Sequence, residues 1–325
     1  MLATRESRLL RVAPGLLLAL AVAAVATGLG RLVPVVGGPV FAILLGAALG
    51  KYLHAPRWTP GYAVASTTVL QLSIVVLGTG LQVRQVIQVG AESLPVMLGT
   101  LVIALGGAWL LGGLLHVRGD TRTLIGVGTG ICGASAIAAT TAVIKPKQTH
   151  VAYALGTIFA CNIAAVLLFP PIGHLLGLSP HAFGLWAGTA INDTSSVVAA
   201  AYAYGGDAGE YALVVKLTRT LMLIPIVTFL AVRANRRSAL PWTRIIPPFL
   251  LGFIAAVVLG SLGAIPSGLS ALGPFLITTA LAGIGLSLRP ADLRRSGGRP
   301  LLLGVLLWLA VAAGSLGLQA LTGTL

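Results

Sequence analysis

Three short polar stretches sit inside apolar runs long enough to cross a bilayer. They are Ile131-Cys132-Gly133-Ala134-Ser135, Asn192-Asp193-Thr194-Ser195-Ser196, and Lys216 with Arg219. Ionisable groups at membrane depth are costly and mark substrate or ion paths. Gly126, Gly128, Gly130 and Gly133 crowd the first stretch. Each glycine weakens a helix by about 1 kcal/mol relative to alanine, so the spacing predicts a helix broken near Gly133. A helix restarting there presents free N–H groups and the positive end of its dipole, which suits an anion. Cys132, Gly133 and Ser135 are therefore candidate substrate residues, with Ser135 adding a hydroxyl donor.

Asp193 is the one carboxylate this reading places inside the membrane. It either loads and releases a proton or joins Asn192, Thr194 and Ser195 in offering oxygens to a sodium ion. The alternative is a fixed charge that neutralises Lys216 or Arg219. Those two cations are spaced i, i+3 and share one helical face. Against Asp193 they leave a positive excess, which favours an oxyanion that arginine can grip through two N–H groups. Asn162 lies mid-span, where it lines a cavity or bridges helices. No histidine lies mid-span to activate Cys132, so the chain is not read as an enzyme. Cys132 and Cys161 lie in apolar runs, and no disulfide, metal site or cofactor is expected.

The elements that must position these groups follow from composition. The 325 residues are 57% hydrophobic and 9% charged, with a mean hydropathy of +0.98. A soluble domain carries roughly 25% charged residues. The chain is therefore read as an all-α polytopic membrane protein, one transmembrane domain over 1–325. The net charge of +14 sits in short loops, where it signals topology rather than nucleic-acid binding. The N-terminal segment with Arg5, Arg8 and Arg11 reads as a retained first helix, not a cleaved signal.

A span needs about 20 apolar residues. About eleven are expected, near 10–30, 36–53, 62–82, 94–115, 123–144, 150–177, 182–204, 210–231, 245–264, 270–288 and 301–322. Pro34, Pro56, Pro60, Pro180, Pro241, Pro266, Pro290 and Pro300 punctuate the connections. With the N-terminus in the cytoplasm, the inner segments hold Arg5, Arg8, Arg11, Lys51, Arg57, Arg118, Arg122, Arg233, Arg236, Arg237, Arg244, Arg289, Arg294, Arg295 and Arg299. The outer loops then hold only Arg31, Arg84, Lys145 and Lys147. That bias favours a cytoplasmic N-terminus in a bacterial inner membrane. Trp58, Trp109, Trp186, Trp242 and Trp308 read mostly as an interfacial belt, and His54, His116, His150, His174 and His181 as loop or span-end residues.

Gly78-Thr79-Gly80-Leu81 with Arg84, Pro95 and Gly99 matches Gly283-Ile284-Gly285-Leu286 with Arg289, Pro300 and Gly304. The offset is 205 throughout, and eight of 24 positions agree, which argues for an internal repeat. The copies end on opposite sides, as in an inverted repeat with broken helices at the midplane. The second copy stops before any counterpart of the Cys132 segment. Spans 5 and 7 also run in the same direction, so they are not a simple inverted pair, and one span of the set reads as re-entrant or broken.

Ile131-Cys132-Gly133-Ala134-Ser135-Ala136-Ile137, Asn192-Asp193-Thr194-Ser195-Ser196-Val197-Val198-Ala199-Ala200 and Val215-Lys216-Leu217-Thr218-Arg219 together resemble the YeiH-type sulfate exporter family. The resemblance covers nearly the whole chain. It implies a secondary carrier related to the bile-acid and arsenite transporter superfamily, with a helical panel and a core of two crossed, broken helices. Cys132, Gly133 and Ser135 would belong to the first broken helix. Asp193 stands where the family has an acidic residue, with Asn192 in place of a histidine and Ser196 in place of a glutamine. The expected partners are a small anion, a coupling proton or sodium ion and the lipid bilayer, with a homo-oligomer left open. Export of sulfate or an organic sulfonate leads. A passive anion channel and a sodium-coupled carrier of an organic anion are the alternatives.

Overall fold

The computed structural model describes residues 2–32, 37–53, 55–233, 247–266, 268–287 and 298–325. All regular structure among them is helical. Among the described residues, seven helices are long and apolar enough to cross a membrane: 11–32, 59–78, 83–114, 148–175, 208–233, 269–287 and 298–322. Shorter apolar helices cover 37–50, 134–144 and 248–261. The polytopic helical fold read from composition is the fold found. Pro34, His54, Arg236, Arg237, Pro241, Trp242, Arg244, Arg289, Pro290, Arg294 and Arg295 lie outside the described residues, as do the side chains of Arg5 and Arg8.

The chain divides into two compact units, one of residues 1–85 with 249–289, the other of residues 86–248 with 290–325. The first contains α1 (Leu2–Leu32), α2 (Gly37–Gly50), α3 (Thr59–Gly78), α12 (Pro248–Ser261) and α13 (Gly273–Ser287). Its packing relies on small residues, because lipid tails supply no hydrophobic drive between apolar helices and close contact must do so. A Cβ on Gly46 of α2 would lie 2.7 Å from the Ala282 carbonyl oxygen, and one on Gly285 of α13 would lie 2.5 Å from that of Ile43. These backbones touch. α3 contains a π-helical turn over Val64–Val69, and α13 packs along it. The Gly78–Gly80 and Gly283–Gly285 copies thus sit on neighbouring helices.

The second unit takes most of α4 (Val83–Leu114), then α5 (Gly119–Gly130), α6 (Ala134–Ile144), α7 (Gln148–Leu175), α8 (Pro180–Ala190), α9 (Thr194–Tyr204), α10 (Ala208–Leu221), α11 (Leu223–Arg233) and α14 (Gly298–Thr322). The expected span over 123–144 does break, at residues 131–133, but its halves fold back beside each other. Gly128 of α5 packs against Ile137 of α6 across the tip. His150, in the first turn of α7, lies 3.6 Å from Asp120 in the first turn of α5. A continuous crossing helix would hold Asp120 and Ile144 roughly 36 Å apart at 1.5 Å per residue.

The expected span over 182–204 does the same. The Tyr204 ring at the end of α9 stacks on Phe183 at the start of α8, with centroids 3.8 Å apart. The Tyr204 hydroxyl donates to the Leu178 carbonyl. Both spans are therefore re-entrant hairpins. The reversal comes from non-helical backbone: Gly133 at φ 63°, ψ −123° in the first tip, and extended Ile191 and Asp193 in the second. Each arm is 11 or 12 residues long, about half a bilayer. Two such arms in succession match one crossing helix in length and hydropathy.

α7 runs from the foot of the first hairpin to the foot of the second, where His174 stacks on Tyr204 at 4.2 Å. The hairpins consequently enter from opposite ends of α7. Their sequences repeat at an offset of 60: Gly128-Thr129, Ile131, Ser135 and Ala139 recur as Gly188-Thr189, Ile191, Ser195 and Ala199. α7 and α10 begin at the same offset. The missing counterpart of the Cys132 segment is thus the Asn192 segment. α4 and α14, related by the offset of 205, pack antiparallel, with Gly99 against Leu318, Ile103 against Gly314 and Gly107 against Leu307.

Trp186 and Trp308 are buried, contrary to the belt expected of them. Phe169 stacks on both, at 4.0 and 5.7 Å, and the Trp186 indole donates to the Ala312 carbonyl at 3.0 Å. They fill the core between α7, α8 and α14; the bonded Trp186 indole is tolerated there, while the Trp308 Nε1 finds no partner among the described residues.

The backbone contacts of the first unit yield a direct test. Gly285→Val should lower stability by about 1–3 kcal/mol, the usual cost of overpacking, read as a lower melting temperature in detergent. An unchanged melt would refute the close approach of α2 and α13.

Candidate functional site

The two hairpin tips meet on one side chain. Lys216, on α10, is fully buried. Its Nζ donates to the Ile131 carbonyl and to the Ile191 carbonyl, both at 2.8 Å. Ile131 and Ile191 occupy equivalent places in the repeat, just past the C-terminal end of each entering arm. Such an end carries roughly −0.5 of a charge. Two of them offset about one ammonium group.

Arg219, one turn further along α10, is also fully buried. Its Nη2 donates to the Thr129 carbonyl at 3.0 Å. Its Nε and Nη1 have no hydrogen-bond partner among the described residues. No direct ion pair joins Asp193 to either cation; those found among the described residues are His150–Asp120 and His181–Asp207. Backbone, rather than a carboxylate, therefore holds the two cations.

The departing arms differ at their N-termini. Asp193 is the N-cap of α9; its carboxylate accepts from the Ser195 N–H at 3.0 Å and from the Ser195 hydroxyl. Gly133, at the equivalent position, is the N-cap of α6 and provides no side-chain cap. One tip thus carries its own anion, and the other leaves its positive helix end without one. Asn192 packs against this second end: a Cβ on Gly133 would lie 3.6 Å from the Asn192 Cβ. Asn192 is fully buried, and neither its amide nitrogen nor its oxygen has a partner among the described residues.

The fold thus brings Cys132, Gly133, Asn192, Lys216 and Arg219 into a buried layer. Asp193, Thr194 and Ser195 are half-buried and Ser135 is exposed, so the second arms open outward from that layer. Cys132 is a free thiol, as is Cys161. Asn162 bridges helices: its Oδ1 accepts from the Asp193 N–H at 3.4 Å. Sequence reasoning missed Thr129, Ile131 and Ile191, whose backbone oxygens hold the cations. It also missed a buried chain in which the Thr189 and Ser315 hydroxyls lie 2.7 Å apart and the Gln319 amide donates to Ser315 at 3.3 Å. The Gly-Thr-x-Ile repeat at offset 60 was the available signal.

A family model described as conserved hypothetical protein 698 matches residues 14–304, which include both tips and Lys216. A UPF0324 membrane protein of Streptococcus agalactiae serotype V is 42% identical over 329 residues, covering 96% of this chain and 98% of the relative. The chain belongs to the UPF0324 membrane protein family. UPF0324 proteins of Streptococcus pyogenes serotype M3 and Streptococcus pneumoniae serotype 4 are also 42% identical, over 335 and 325 residues. They cover 97% and 95% of this chain, and 98% and 97% of their own length. The UPF0324 names describe membrane proteins and specify no cargo.

The geometry ranks the two cations. Removing Lys216 orphans two buried carbonyls, each costing about 1–3 kcal/mol; removing Arg219 orphans one. Lys216→Ala should therefore lower the melting temperature more than Arg219→Ala. Equal or reversed losses would contradict the bridging role of Lys216.

Proposed function

We propose that this chain is a secondary carrier for a small oxyanion, sulfate or an organic sulfonate by preference, coupled to a proton or cation through Asp193. The observation that carries this reading is the asymmetry of the two equivalent N-caps. Asp193 supplies α9 with a carboxylate, and Gly133 supplies none at the same place on α6. An oxyanion bound there would stand where Asp193 stands in the other repeat, accepting from the first N–H groups of α6. The amide of Asn192 and the uncommitted N–H groups of Arg219 supply further donors. Ser135 marks the open edge. Lys216 serves the site indirectly, by holding the tips together.

Charge supports an anion over a cation. The two C-terminal ends and the two N-terminal ends roughly cancel. Lys216 and Arg219 against Asp193 leave one positive charge in excess. The re-entrant fold also supports the orientation with a cytoplasmic N-terminus. It returns Lys145 and Lys147 to the side of Arg118, so two of the four outward charges of the linear count become inward ones.

Binding of sulfate and small sulfonates to the purified protein, followed by flux in proteoliposomes, tests the proposal. One of these anions should saturate a site, and Asn192→Ala should weaken it about tenfold, or ~1.4 kcal/mol. Asp193→Asn should keep the fold, because asparagine caps a helix about as well as aspartate. It should keep anion binding too, and lose the response of flux to a proton or cation gradient. Gradient-driven flux that persists in Asp193→Asn would refute the coupling role, and no binding of any oxyanion would refute the site.

A further inference from the structure

A cavity of about 360 Å³ opens between α4, α5 and α11, and its lining includes none of the tip residues 131–133 or 191–193. Its walls include Leu105, Trp109, Ile226, Phe229 and Leu230, and Arg122 lies in its lining. Trp109 and Phe229 are 65% and 62% exposed, so the cavity opens along the apolar outer surface. Arg122 is half-buried. Its aliphatic stem lies across Gly112, where a Cβ would come within 2.5 Å of it. The guanidinium makes no hydrogen bond or ion pair with any described residue.

Two more arginines sit at the same end. Arg118 precedes α5, one helical turn before Arg122, and is exposed. Arg233 ends α11 and is exposed; the i, i+3 and i, i+4 rule places it over Leu230 and Phe229. The cavity therefore joins a long apolar wall to a basic rim. That pairing of chemistries belongs to an amphiphile with an anionic head. Basic pockets between membrane helices hold phosphate headgroups on this principle, and arginine grips phosphate oxygens through paired N–H groups. We infer that this cavity is a binding site for an anionic phospholipid, with the phosphate on Arg122 and an acyl chain along Leu105, Trp109, Ile226 and Phe229. A soluble anion would leave the apolar wall unused, and a zwitterionic lipid would set its own cation against the arginines.

Native mass spectrometry of the delipidated protein, titrated with phosphatidylglycerol, phosphatidylcholine or glycerol phosphate, tests this inference. One phosphatidylglycerol should be retained at detergent levels that strip phosphatidylcholine. Arg122→Gln should weaken retention at least tenfold, and Arg122→Lys should restore part of it. Thr123→Trp, which fills the cavity and leaves all three arginines in place, should also weaken it. Equal retention of the two lipids would overturn the proposal. So would unchanged phosphatidylglycerol retention in both Arg122→Gln and Thr123→Trp, or glycerol phosphate binding as tightly as the lipid. If Arg122→Gln fails to fold, the headgroup preference of the wild type and the Thr123→Trp result decide.

Discussion

An ammonium group held by two backbone carbonyls, rather than by a carboxylate, ties the second unit together. The Lys216 Nζ takes the Ile131 and Ile191 carbonyls, and without it both tips would end on unpaired buried acceptors. Taking one ion out of water costs several kcal/mol. Two helix ends, each carrying roughly half a negative charge, are the compensation the fold provides. This explains why a lysine can sit fully buried at the centre of so apolar a chain. It also leaves Asp193 free for another duty.

That duty separates the two halves of the repeat. Hairpin and following helix recur at an offset of 60, from opposite ends of α7. Yet position 133 is glycine where position 193 is aspartate. A left-handed φ of 63° at Gly133 suits glycine and strains any residue with a Cβ. The backbone that reverses the first hairpin thereby keeps a side-chain cap away from α6. The asymmetry on which the proposed function rests is thus a consequence of how the first hairpin turns.

Much of this was legible in the residues. Among the described residues hydropathy located the apolar helical runs, though the helix from Val83 begins well before its expected span, and the crowding of Gly126, Gly128, Gly130 and Gly133 located the first break. The polar run at Asn192–Ser196 was legible as a polar cluster at depth, but not as the second break. Span direction hinted at one re-entrant or broken span, but that both of these spans fold back was not legible, because two arms of 11 or 12 residues have the length and hydropathy of one crossing helix. The partners of Lys216 were hidden for a different reason. Backbone carbonyls carry no sequence signature, so Asp193 was weighed as a partner when Ile131 and Ile191 were the acceptors. Trp186 and Trp308 misled because position near a span end says nothing about which face a ring takes.

The central claim is that the two hairpins are re-entrant and enter from opposite sides. Single cysteines at Arg118, Lys147, Ser179 and Gly206, in a background with Cys132 and Cys161 replaced by serine, test it most directly. Labelling with a membrane-impermeant thiol reagent in sealed vesicles should place Arg118→Cys and Lys147→Cys on one side. Ser179→Cys and Gly206→Cys should both fall on the other. Labelling of Arg118→Cys and Lys147→Cys from opposite sides would make residues 119–144 a crossing helix and contradict the account.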